Sequence, residues 1–125
     1  MYTNMKKTIL IVDDFENSLF VTGLTLQNNG YTVLKAGSGA EALNHLKGQP
    51  INLIITDYRM PEMNGLELVQ QIKRSVAYQR TPIFVLSTEI KQEIKDYAAN
   101  LGVTAWIQKP FKIEQLLKLI ERAIS

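Results

Sequence analysis

Thr8-Ile9-Leu10-Ile11-Val12-Asp13-Asp14 is the stretch on which the fold turns. Its first five residues are β-branched or apolar with no polar alternation, the pattern of a strand buried on both faces. Two carboxylates then end it. Ile51-Asn52-Leu53-Ile54-Ile55-Thr56 and Pro82-Ile83-Phe84-Val85-Leu86-Ser87 repeat the pattern, and Thr32-Val33-Leu34 and Val103-Thr104-Ala105-Trp106-Ile107 are shorter versions. Strands of this kind belong in a parallel sheet covered by helices, because each parallel return needs a crossover.

Helical stretches fill the intervals. Residues 15–29 carry Leu19 and Leu26 and stop at Asn28-Asn29-Gly30, a C-terminal cap signal. Ser38 and Glu41 read as a capping box for a second helix, with Ala42, Leu43 and Leu46, ending near Gly48. Leu66, Val69 and Ile72 mark a third; Ile90, Ile94, Tyr97, Ala98 and Leu101, closed by Gly102, mark a fourth. Ile113, Leu116, Leu117, Ile120 and Ile124 repeat at three and four to give the last. Strands and helices alternate over the whole length, so the expected fold is a doubly wound (βα)₅ α/β sheet in one domain over residues 8–124, with residues 1–7 as a short extension.

Composition narrows the function. The chain has 125 residues, 46% of them hydrophobic and 21% charged, enough to bury a core and too few for a second one. It has no cysteine, which removes disulfides, thiolate nucleophiles and thiolate metal sites. The apolar run before Asp13 is too short for a signal peptide or a membrane span, so cytoplasmic residence without membrane insertion is expected. A net charge of +2 with scattered basic residues argues against nucleic-acid binding, which wants a concentrated basic footprint.

In open α/β sheets, ligands sit beyond the carboxyl ends of the strands. Those ends supply Asp13-Asp14, Thr56-Asp57, Ser87-Thr88 and, after the fifth strand, Lys109-Pro110. Three carboxylates converging there would repel one another, and one divalent cation together with Lys109 balances them. An all-oxygen donor set suits Mg²⁺, with Mn²⁺ as a substitute. The only histidine, His45, lies in the second helix away from these ends and is a bystander. With no thiol and no base for serine catalysis, a carboxylate attacking phosphorus is the chemistry left.

Ile9-Leu10-Ile11-Val12-Asp13-Asp14, Asp57-Tyr58-Arg59-Met60-Pro61-Glu62-Met63-Asn64-Gly65, Ser87-Thr88 and Lys109-Pro110-Phe111 resemble, in order and spacing, the motifs of response regulator receiver domains (CheY-like, two-component signal transduction). The resemblance covers residues 8–124 and implies a flavodoxin-like fold with strand order 2-1-3-4-5. It implies Asp57 as phosphoryl acceptor and Asp14 as direct Mg²⁺ ligand. Asp13 would act mainly through water, and the Arg59 carbonyl would complete the set. It also implies Ser87, with Thr88 next along, as the hydroxyl position, and Lys109 as the cation on the phosphoryl group. Trp106 stands where the family usually carries a switching Tyr or Phe, and Arg59 and Glu89 stand where it tunes phosphoryl lifetime; their opposite signs allow them to pair across the entrance. Gly65 is expected to relieve a steric demand in the acceptor loop, and Tyr58 to pack in it.

The implied partners are a histidine kinase or phosphotransfer protein and a downstream protein target, with the chain a monomer or transient dimer. The chemistry is self-catalysed phosphotransfer and autodephosphorylation rather than conventional turnover. A stand-alone chemotaxis-type output regulator and a phosphorelay intermediate both fit. An unphosphorylated interaction module and a hydrolase using Asp57 as nucleophile are the rivals. The first gains nothing from a complete acceptor set, and the second lacks an acid/base beside Asp57 and a cap. A DNA-binding output would need helices after the fifth, so a lone receiver is expected.

Overall fold

A computed structural model describes residues 6–124; residues 1–5 of the expected extension and Ser125 lie outside the described residues. Five strands, β1 (Thr8–Val12), β2 (Thr32–Ala36), β3 (Leu53–Asp57), β4 (Ile83–Ser87) and β5 (Ala105–Gln108), alternate with five helices. These are α1 (Glu16–Asn28), α2 (Gly39–Asn44), α3 (Gly65–Lys73), α4 (Gln92–Leu101) and α5 (Ile113–Ile124). All strand pairs are parallel, in the order β2-β1-β3-β4-β5. The doubly wound, flavodoxin-like expectation is met.

Side chains alternate across a strand, and here both faces are apolar. Leu10, Val12, Ile54, Ile83 and Val85 pack on one side with Ala42 of α2, Val69 and Ile72 of α3, and Ala98 of α4. Ile9, Ile11, Leu53, Ile55 and Phe84 pack on the other with Leu26 of α1 and Leu116, Ile120 and Ile124 of α5. Burying both sides of the sheet leaves the polar residues at the strand ends as its chemically useful groups.

Several boundaries differ from expectation. The second helix ends at Asn44, not near Gly48, because His45 caps it: its backbone N–H bonds the Ala42 carbonyl, Leu46 N–H bonds the Leu43 carbonyl, and the His45 ring Nε2 lies 3.0 Å from the Lys35 carbonyl. His45 is therefore a capping residue just past the helix. Ser38 Oγ accepts from Glu41 N–H, but the Glu41 carboxylate takes Gly37 N–H, so the box is half formed. A complete box stands instead at Asn64 and Glu67, opening α3. Ile90 is not on the α4 face; it precedes the helix and is 65% exposed.

Candidate functional site

The sheet delivers the polar groups to one end. β1 hands over to Asp13 and Asp14, β3 ends on Asp57, β4 ends on Ser87, and Lys109 follows β5. One carboxylate oxygen from each of Asp13, Asp14 and Asp57 can be chosen so that all lie within 4.8 Å of one another. Asp57 is buried, Asp13 half-buried and Asp14 exposed, so the trio opens to solvent on the Asp14 side. Asp13 is held from two sides, its N–H bonded to Ala36 O at 3.1 Å and its Oδ1 accepting Phe15 N–H at 2.9 Å.

Lys109 Nζ lies 2.7 Å from Asp57 Oδ1. This ion pair is the contact that meets the buried oxygen, which otherwise has no hydrogen-bond partner among the described residues. Burial is the main reason the Asp57 carboxyl is pushed up to about 6; Lys109 opposes the shift and the Asp13 charge adds to it. A buried, incompletely compensated carboxylate beside two more carboxylates is a site short of positive charge. The donor set, all oxygen with no histidine or thiolate, fits a hard divalent cation.

The backbone around Asp57 is fixed by neighbours on both sides. Tyr58 N–H bonds Leu86 O at 2.9 Å, Thr56 Oγ1 donates to Asp57 O at 2.9 Å, and Lys109 N–H bonds Ser87 O at 2.8 Å. Gly65 returns under the acceptor, its N–H bonding Tyr58 O at 2.7 Å. A Cβ there would collide with Asp57 O, so the steric demand anticipated at Gly65 is a close approach of backbone to backbone. The Lys109-Pro110 peptide is cis.

Ser87, the last residue of β4, is buried and Thr88 exposed. Glu89 ties the surroundings together. Its N–H donates to Ser87 Oγ at 2.9 Å, its carbonyl accepts Trp106 Nε1–H at 3.3 Å, and its carboxylate pairs with Arg59 at 2.9 Å. The Arg59–Glu89 pair anticipated across the entrance is therefore formed. Tyr58 packs in the loop as expected, its ring tilted against Trp106 at 5.4 Å between centroids and 57° between planes. The Arg59 pairing of Glu89 was legible from its charge and position, but its bonds to Ser87 and Trp106 were not, because both use Glu89 backbone atoms.

The profile of the response regulator receiver domain matches residues 9–121. The chain belongs to that family. This receiver is 36% identical over 119 residues to a chemotaxis protein CheY homolog of Campylobacter jejuni, spanning 94% of this chain and 92% of the relative. It is 35% identical over 124 residues to chemotaxis protein CheY-3 of Vibrio cholerae, spanning 95% and 94%. The transcriptional regulatory protein CrdR of Helicobacter pylori is 35% identical, but the match spans only 54% of its length. Among solved structures, chemotaxis protein CheY4 of Vibrio cholerae superposes with a TM-score of 0.90 at 37% identity, covering 95% of this receiver and 99% of that chain. The receiver is thus CheY-like, and its clustered aspartates accord with a phosphoacceptor role. Among the described residues no helix is long and apolar enough to cross a membrane.

Proposed function

We propose that the receiver takes a phosphoryl group from a histidine kinase or phosphotransfer protein onto Asp57, in a Mg²⁺-dependent reaction, and signals through a protein surface that changes on phosphorylation. The observation that carries this is the buried Asp57 carboxylate, held beside Asp13, Asp14 and Lys109 with one oxygen lacking a hydrogen bond. An Asp57 oxygen attacks phosphorus as the bond from phosphorus to the donor's imidazole nitrogen breaks, and the nitrogen leaves with the bonding pair. Asp13, Asp14, Asp57 and the Arg59 carbonyl would hold Mg²⁺, which supplies neutralisation of the carboxylates and of the phosphoryl oxygens. Lys109, already 2.7 Å from Asp57, places a second positive charge where phosphoryl oxygens would arrive.

Phosphorylation brings about −1.5 to −2 of charge and new acceptors. The Ser87 hydroxyl, which accepts from Glu89 N–H, can turn to donate to a phosphoryl oxygen. Glu89 would then be released from Ser87 while still bonded to Trp106, so a change at Asp57 reaches the surface of α4, β5 and α5. Arg59 and Glu89 at the entrance would slow water and set the phosphoryl lifetime. The donor would dock on α1 and the loop after β5, which border the acceptor, and α1 exposes Phe20, Val21 and Leu24. Relatives that the chain spans nearly end to end carry chemotaxis names, which supports a chemotaxis-type output over a relay intermediate.

Incubation with a small phosphodonor such as acetyl phosphate tests the reading. A hydroxylamine-labile acylphosphate should form with Mg²⁺, vanish with chelator and be lost in Asp57→Asn. Acylphosphate that persists in that variant, or forms equally without metal, would assign the chemistry elsewhere; none in the parent would favour a pure interaction module.

A further inference from the structure

A cleft of about 280 Å³ lies between α3 and α4, outside the acidic site. It is small beside the roughly 300–1,000 Å³ of ligand pockets, which suits a single side chain better than a nucleotide. Tyr58, Leu66 and Ile94, buried or half-buried, supply an apolar floor. Glu67 and Glu93, both exposed, are its only charged lining residues. Neither takes part in an ion pair among the described residues, though Glu67 Oε1 accepts Asn64 N–H in the capping box of α3, and Lys91 at the α4 N-cap and Lys95 within α4 do not line the cleft. On a chain whose net charge is +2, this is a locally acidic opening over an apolar base.

Gln70 Nε2 donates to the Tyr97 hydroxyl at 2.7 Å, a bond that joins α3 to α4. The Tyr97 ring, 48% exposed, offers a face of the kind that guanidinium groups stack upon. Past Asn64 and Tyr58 the cleft continues into a second depression against Arg59, Met60 and Pro61, giving room for the chain that flanks an inserted side chain.

We propose that this cleft receives one arginine or lysine side chain from a basic, apolar-flanked segment of a partner protein, its stem on Tyr58, Leu66 and Ile94 and its charge between Glu67 and Glu93. Occupancy has a route to the rest of the molecule. Tyr58 lines the cleft and its ring makes a tilted contact with Trp106, so a side chain seated there can bear on the aromatic whose indole bonds the Glu89 carbonyl. Binding at α3 and α4 would bias Trp106 without a phosphoryl group.

The test uses the unphosphorylated full chain, ¹⁵N-labelled and in chelator, titrated with the capped dipeptides acetyl-Leu-Arg-amide and acetyl-Leu-Glu-amide. The arginine peptide should shift the amides of Tyr58, Gln70, Ile94 and Tyr97 and the Trp106 indole N–H. Glu93→Lys should weaken it about fivefold or more, as expected when an exposed charge pair becomes a repulsion, whereas Glu114→Lys on α5 should leave it unchanged. Equal shifts from both peptides, shifts confined to other surfaces, or no shift at the solubility limit would overturn the site. Shifts in the cleft with a silent indole would overturn the coupling to Trp106. Because neither metal nor phosphodonor is present, these outcomes are independent of whether Asp57 is phosphorylated.

Discussion

Asp57 shows at the scale of one residue why the site wants a cation. Its carboxyl is raised from 3.8 to about 6, chiefly by burial, so the metal-free folded state holds that proton more tightly than the unfolded chain does. For an acid shifted upward, the stabilising contribution is complete below the unfolded value and is lost as pH climbs through the folded one. Metal-free Asp57→Asn, which has no charge to bury, should therefore be more stable than the parent at pH 8. The advantage should shrink as pH falls from about 6 to about 4. Urea unfolding across this range measures it; a parent at least as stable as the variant at pH 8 would mean that Lys109 already compensates the carboxylate in full. Asp13, Asp14, Asp57 and Lys109 were all legible from sequence, because polar residues after apolar runs mark strand ends. The bonds of Glu89 to Ser87 and Trp106 were not, since both run through backbone atoms that carry no residue label.

Elements were legible where a strong pattern ran long enough. The apolar repeat of α5 and the unbroken runs of β1, β3 and β4 fixed type and order, while helix ends moved where caps compete, most at α2, which stops at Asn44 rather than near Gly48. His45 stopping α2 and the box at Asn64 and Glu67 are cases in which a side chain could have bonded several neighbours, and only the fold decides which. Helix α1 departs from amphipathic habit: Phe20, Val21 and Leu24 are exposed, and Glu16 is its only charged residue. A face like this is a candidate for protein contact. If donor proteins dock there, Leu24→Asp should slow phosphotransfer from a cognate kinase or phosphotransfer protein by about tenfold or more, the effect of losing one buried apolar anchor. Acylphosphate formation from acetyl phosphate should be unchanged, because Asp57 and its neighbours are untouched. Equal slowing with both donors would instead indicate damage to the site, and no slowing with either would move the docking surface off α1.

Across the whole molecule, the sheet joins the acceptor to the distal face through strand register. Ser87 pairs with Gln108, and Trp106 lies two residues back along the same strand, opposite Val85. Two further links run beside the sheet, Ser87 through Glu89 to the Trp106 indole and Asp57 through adjacent Tyr58 to the Trp106 ring. All three converge on the single tryptophan, so its emission reports the state of the acceptor end without any label. Beryllofluoride with Mg²⁺, a stable stand-in for the phosphoryl group, should therefore change Trp106 fluorescence with a saturable dependence. Ser87→Ala, lacking the hydroxyl that accepts Glu89 N–H, should bind the mimic yet give a clearly smaller change. A full-sized change in that variant would route the signal through Tyr58 instead. Unaltered emission in the parent, at concentrations where the mimic demonstrably blocks acetyl phosphate, would leave Trp106 as static packing between β5 and the acceptor loop.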